Sequence, residues 1–158
     1  MLKPVPRKSL RAGSGSFAIV ASRYNVRYVD AMLRAARAEL QRAGAKKVEI
    51  VRVPGAYEIP VVAARLARET QAGQRSLGAI ICLGVILRGQ TTHAAHIGEA
   101  VSNALMDIQL RYEVPVIHEV LLLENEEQAH VRCLDRKHNR GTEAAQTALE
   151  MARVMHLL

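Results

Sequence analysis

The stretch Gly78-Ala79-Ile80-Ile81-Cys82-Leu83-Gly84-Val85-Ile86-Leu87 is almost wholly apolar. Neither it nor any other run reaches the roughly 18 to 20 apolar residues that a membrane helix needs. A strand without a polar face is covered on both sides, and such strands sit in the middle of parallel sheets. Working outward, strand patterns alternate with helix patterns. Phe17 to Ser22 and Val48 to Val53 read as strands before it, and Pro115 to Leu123 reads as one after it. The first helix carries Val29, Met32, Leu33, Ala36 and Leu40 on one face, with Asn25 as its cap and Gly44 as its stop. Pro60 suits the first turn of a second helix, with Ile59, Val62, Ala63 and Leu66 facing inward. A third helix begins at Thr92 and buries Ile97, Val101, Ala104, Leu105 and Ile108. Asn125 and Gln128 resemble a capping box for a short helix. Gly141 to Met155 form the last helix, with Ala145, Ala148, Leu149 and Ala152 along one side. The alternation predicts an α/β fold: right-handed crossovers and a parallel sheet between two helix layers.

The chain has 158 residues, enough for one domain with a proper core. Residues 1–15 hold Lys3, Arg7, Lys8 and Arg11 among Pro, Ser and Gly. They read as a flexible N-terminal arm that orders against a neighbouring subunit, with a single domain over 16–158. The arm lacks the apolar centre of a secretion signal. Cys82 and Cys133 are the only cysteines and fit reduced, cytoplasmic thiols. Both read as small buried side chains rather than as a catalytic thiol. The net charge of +7 raises the question of a nucleic-acid partner. The basic residues are spread along helices, as at Arg34, Arg37 and Arg42, and one Phe, four Tyr and no Trp leave little to stack on bases. A solvated basic surface, or affinity for small anions, fits better than nucleic acid or membrane.

Ligands of parallel sheets bind at the carboxyl ends of the strands. Polar residues gather there without a packing reason. Arg88-Gly89-Gln90-Thr91-Thr92-His93 joins the central strand to a helix whose first N–H groups favour an anion. Gly89 lets a backbone approach a ligand closely, and Thr91 and Thr92 add hydroxyl donors. The turn reads either as a phosphate or carboxylate site or as a well-capped turn. Neither a Walker loop nor a GxGxxG motif is present, which argues against triphosphate hydrolysis and dinucleotide binding. His93 stands beside this turn, and imidazole suits proton transfer near neutral pH. His96 follows at i+3, but no third metal ligand has matching spacing, so no metal is assigned. His118 falls within a strand, and His130 and His138 near helix ends. Arg132, Arg136, Lys137 and Arg140 are a basic run that is either solvated or supplies a bidentate arginine to a phosphate.

Five segments together resemble the 6,7-dimethyl-8-ribityllumazine synthase family, in order and at its spacing. They are Ser22 to Asn25, Val53 to Pro60, Gly84 to His93, Glu124 to Ala129 and Asn139 to Gly141, and the likeness spans roughly residues 16 to 157. The resemblance implies a three-layer α/β/α sandwich around a flavodoxin-like, four-stranded parallel sheet. It implies condensation of 5-amino-6-(D-ribitylamino)uracil with 3,4-dihydroxy-2-butanone 4-phosphate, releasing phosphate and water, in riboflavin biosynthesis. It implies no metal and no organic cofactor. It also implies a homo-oligomer, a pentamer or multiples up to a sixty-subunit shell, with sites shared between adjacent subunits, and riboflavin synthase as a further partner.

The resemblance gives each residue a role. Tyr24 stacks on the pyrimidine and Asn25 bonds its edge. Ala56, Tyr57 and Glu58 stand where the ribityl chain is held. Ile86 and Leu87 offer backbone groups to the uracil. Gly89, Gln90, Thr91 and Thr92 match the phosphate turn, and His93 the proton-transfer histidine. Arg132 matches a phosphate-binding arginine from the neighbouring subunit, and Arg140 a lysine near the pyrimidine. His118 replaces a second aromatic that packs on the substrate. Ala94-Ala95-His96 lacks the aromatic and acid that often follow the histidine, and Arg136 replaces a lysine. These departures motivate the alternative of a flavin- or lumazine-binding protein of the same fold with little synthase activity, or of a shell whose assembly matters more than its catalysis.

Overall fold

Strands Ser16–Ser22 (β1), Lys47–Val53 (β2), Leu77–Leu87 (β3) and Val116–Leu123 (β4) form one sheet in the order β2-β1-β3-β4, and every pairing is parallel. The coordinates are those of a computed structural model that describes every residue except Met1, Arg7 and Ser14. Those three members of the expected arm lie outside the described residues. As its composition requires, β3 lies inside the sheet, between β1 and β4, and is buried on both faces from Ala79 to Val85.

The helices are Val26–Arg42 (α1), Ile59–Gln71 (α2), His93–Tyr112 (α3), the single turn Glu126–Ala129 (α4) and Arg140–Leu157 (α5). Side-chain alternation along the strands divides the core in two. Phe17, Ile19, Ile81 and Leu83 pack with α1 and α5. Ala18, Val20, Ile80 and Cys82 pack with α2 and α3 on the other face. The result is the three-layer, flavodoxin-like sandwich. Phe17, Ile19, Met32 and Leu40 are fully buried, each burial stabilising by about 1.5–3 kcal/mol. Gly141, in the first turn of α5, lies against the Met32 backbone of α1, so close that a Cβ there would overlap the Met32 carbonyl.

Two end signals behave differently. Asn125 caps α4 as its sequence suggests: its Oδ1 accepts from the Gln128 N–H at 2.9 Å, while Gln128 Oε1 accepts from the Glu124 N–H at 3.1 Å. Asn25 stands before α1 but makes no cap bond with its side chain. Its backbone is left-handed (φ 55°), a region that asparagine tolerates better than most residues. The side chain turns away from the helix to β3.

The N-terminal segment bonds to the body of its own chain. The Val5 N–H donates to the Lys137 carbonyl at 2.7 Å, Gln146 Nε2 donates to the Pro6 carbonyl at 2.9 Å, and Lys8 pairs with Glu150 at 2.7 Å. Farther along, Arg11 to Gly13 share with Arg153 to His156 a cavity of about 830 Å³ at the amino ends of the strands.

Candidate functional site

At the opposite, carboxyl end of the sheet, three strand-to-helix turns converge. The β1–β2 ladder continues past the strands, with the Arg23 N–H donating to the Val53 carbonyl at 2.8 Å and the Tyr24 N–H to the Pro54 carbonyl at 3.0 Å. Arg52 braces this turn from the edge strand: its guanidinium donates to the Ala21 and Ser22 carbonyls and pairs with Asp30 at 2.7 Å. Asn25 then straps the turn to β3, its Nδ2 donating to the Val85 carbonyl at 2.7 Å. After β2, the Gly55 N–H donates to Glu58 Oε2 at 2.9 Å, which closes the short 3₁₀ turn Ala56–Glu58.

These turns enclose a cavity of about 530 Å³ lined by Tyr24, Asn25, Ala56, Tyr57, Glu58, Ile86, Leu87, Gly89, Thr91 and His93, and additionally by Gly55, Val85, Ala94 and Ile97. Its volume is that of a small-molecule site. Tyr24 and Tyr57 are 72% and 63% exposed, so two large aromatic residues stand free at its mouth. The floor is apolar backbone from β3. One wall is the start of α3, where Thr92 holds the cap position without a side-chain cap bond. The His93 N–H donates to Thr91 Oγ1 at 3.4 Å, and the N–H groups that follow it in the first turn of this 20-residue helix are left to an outside acceptor. A Cβ placed on Gly89 would meet no protein atom within 4 Å, so the space beside it is open to a ligand. Gln90 and Thr92 belong to the same turn but do not line the cavity. Arg88 turns outward and pairs with Glu124 at 3.0 Å.

Three of the anticipated residues lie elsewhere. His118 is on the outer strand β4, Arg132 in a wide π-helical turn (His130–Leu134) after α4, and Arg140 at the start of α5, paired with Glu143. None of them lines the cavity. One chain therefore carries some of the expected residues in the cavity and three of them outside it. Burial pushes the thiols of Cys82 and Cys133 up to about 12, as suits buried apolar side chains.

The sequence reading missed Glu119. Alternation turns it to the α5 side of β4, the side of Ile117, Leu121 and Leu123. Its carboxyl is pushed up to about 7, first by burial, with Arg140 pulling it down, Glu143 pushing it up and Arg132 pulling it down. The available signal was an acid at an inward position of a strand. An acid whose folded pKa exceeds its unfolded value binds more protons when folded. Its folded state therefore loses stability as pH rises from the ordinary carboxylate range to about 7. Glu119→Gln removes that loss. The variant's stability relative to the parent should rise between about pH 5 and pH 7 by an amount on the order of 2 kcal/mol, less than the full shift because the site is only half-buried. Thermal midpoints at fixed protein concentration measure it; a difference that does not change with pH contradicts it.

Comparison with known proteins gives a consistent result. A family model described as 6,7-dimethyl-8-ribityllumazine synthase matches residues 14–156. A protein of that name from Xanthomonas oryzae pv. oryzae is 42% identical over 151 residues, covering 94% of this chain and 95% of that one. Another, from Stenotrophomonas maltophilia, is 40% identical over 147 residues, covering 92% of each chain.

Proposed function

Since this chain belongs to the 6,7-dimethyl-8-ribityllumazine synthase family, we propose that the cavity and the three residues outside it divide that reaction between two copies of the chain. The enzyme condenses 5-amino-6-(D-ribitylamino)uracil with 3,4-dihydroxy-2-butanone 4-phosphate to the lumazine, a step of riboflavin biosynthesis. The observation that carries the division of labour is the separation of His118, Arg132 and Arg140 from the cavity that His93 lines.

The cavity of one copy takes the uracil against Tyr24, with Asn25 and the backbone of Ile86 and Leu87 at its edge. Tyr57, Ala56 and Glu58 hold the ribityl chain; a carboxylate accepts from several hydroxyls at once. Gly89, Gln90, Thr91 and Thr92, with the start of α3, cradle the phosphate. Arg132 of a second copy clamps the same phosphate, while Arg140 and His118 of that copy close over the pyrimidine. The uracil's amine attacks the ketone and loses water to form an imine. His93 moves protons as phosphate leaves, and the cations and helix terminus stabilise the departing anion. Ring closure expels a second water. Holding both substrates in place supplies much of the acceleration.

Large apolar side chains standing in solvent support assembly. Met106 and Leu110 of α3 are 54% and 69% exposed, and Leu122 of β4 is 42% exposed. Closed rings of like subunits cover such faces; a pentamer, or pentamers gathered into a shell of sixty, is the state we propose, and light scattering measures it. Riboflavin synthase, which consumes the product, is the protein partner proposed. Two free buried cysteines fit the reducing cytoplasm.

The test is turnover of the purified protein with both substrates, followed by lumazine absorbance and fluorescence. His93→Ala should lower kcat by roughly 10²- to 10⁴-fold, the usual worth of a positioned proton carrier, with KM little changed. Unchanged kcat in that variant removes His93 from the chemistry. Absence of product from the parent protein removes the reaction.

A further inference from the structure

His118 is fixed by two hydrogen bonds, and a third behind them settles their directions. Its Nδ1 lies 3.2 Å from the Val120 backbone nitrogen, which can only donate. Its Nε2 lies 2.7 Å from Ser102 Oγ on α3. That hydroxyl lies 2.8 Å from the Gly98 carbonyl, which can only accept. The amide therefore claims the lone pair of Nδ1, and the carbonyl claims the proton of Ser102. One arrangement satisfies both: Nε2–H donates to Ser102, and Ser102 donates to Gly98. Protonating the ring would place an Nδ1–H against the Val120 N–H, donor against donor.

We propose that Ser102 is a positioning residue that holds His118 as the neutral Nε2–H tautomer, with its ring plane fixed as a stacking surface. The inference rests on the reading of His118 as a group that closes over the pyrimidine. A free histidine would be a poor replacement for an aromatic there, because its charge changes near neutral pH and its ring rotates. The relay removes both defects. The surroundings agree. α3 bonds the ring through the Ser102 hydroxyl, the residue paired with His118 on β3 is Cys82, whose buried thiol stays protonated, and alternation turns Glu119 to the opposite face of β4. Among the described residues no carboxylate or cation bonds to His118. Burial holds its imidazole below the ordinary value, against a smaller opposing effect of the residue's own backbone.

Two measurements on the assembled protein test this. The first is magic-angle-spinning spectroscopy of protein labelled with nitrogen-15 in histidine, which does not depend on particle size. His118 should show a lone-pair Nδ1 and a protonated Nε2, unchanged between about pH 8 and pH 6. In Ser102→Ala the ring, left with the Val120 amide alone, should lose its fixed orientation and titrate in this range. The second is steady-state kinetics. Ser102→Ala should raise KM for the ribitylaminouracil about fivefold, roughly the worth of one neutral hydrogen bond, and more at low pH than at high, with kcat within about twofold. Ser102→Thr keeps the hydroxyl and should restore both. Detection of an Nδ1–H or of a charged ring at neutral pH in the parent protein would overturn the proposal. So would a Ser102→Ala enzyme with the parent's KM and pH profile. A variant that does not fold leaves the parent spectrum to decide the tautomer. If the parent makes no lumazine, the assigned reaction fails, whereas the spectrum still tests the relay.

Discussion

Arg132→Ala lowers kcat/KM for the sugar phosphate by roughly 10²- to 10³-fold, the loss expected when a preorganised donor to a developing anion is removed. In the proposed role the guanidinium would fork onto two phosphate oxygens, which a lysine's point charge does not reproduce, so Arg132→Lys should recover only part of the activity. Stability should change little, because the side chain makes no ion pair among the described residues and the π turn that carries it is held from elsewhere. Asn139 donates to the Cys133 carbonyl there at 2.5 Å and accepts from the Gly141 N–H at 2.8 Å. Steady-state phosphate release at limiting sugar phosphate gives the number. The placement of His93 in the cavity and of Arg132 outside it adds a sharper test. Arg132→Ala chains carry an intact cavity, and His93→Ala chains carry an intact Arg132. Unfolded together and reassembled, the two inactive proteins should regain activity at about one interface in four by random mixing. Mixed oligomers as inactive as their parents would place both residues in one chain's site, contrary to the division proposed here.

Gly141→Ala should be the most destabilising single methyl in the chain. The added carbon would overlap the Met32 carbonyl and lie 2.6 Å from the Met32 carbonyl carbon. Backbone cannot rotate away as a side chain does, so α1 and α5 must separate, and with them a core face containing Met32, Ala36, Ala144 and Ala148. Overpacking of this kind costs about 3 kcal/mol or more, near the upper end for point substitutions, and lowers Tm by roughly 10 °C in a domain of this size. Gly98→Ala is the control. Its methyl would meet Leu122 at 3.5 Å, an ordinary contact, and alanine is the better helix former. A denaturant midpoint for Gly141→Ala equal to that of Gly98→Ala would show that the two helices tolerate a wider separation.

The sheet was legible because burial on both faces leaves a composition that little else produces, and β3 displays it. The turns around the cavity were legible for a related reason: Tyr57, Glu58 and Thr91 are spent on no core. What stayed hidden depends on contacts between elements distant in the chain. Asn25 precedes a helix and has the chemistry of a cap, yet the Val85 carbonyl, 60 positions away, takes its amide instead. The tautomer of His118 depends on Ser102, a residue with no local signal of its own. Glu119 is an acid at an inward strand position, and its protonation depends on burial and on Arg140, Glu143 and Arg132, which arrive from other elements. The wide turn at His130–Leu134 has no periodicity from which to infer it.

The cavity at the amino ends of the strands has a consequence for rewiring the chain. It brings the stretch just ahead of β1 alongside the last turns of α5. With the first ten residues removed, a short linker would join the end of α5 to the start of β1 without crossing the sheet. New ends could then be opened in the exposed turn after α2, where Gly73 already bends the backbone out of the helix. Such circular permutants succeed at exposed turns with few contacts. A cargo fused there would emerge at the pole opposite the catalytic turns, so substrate would enter one end of each subunit while the passenger hangs from the other.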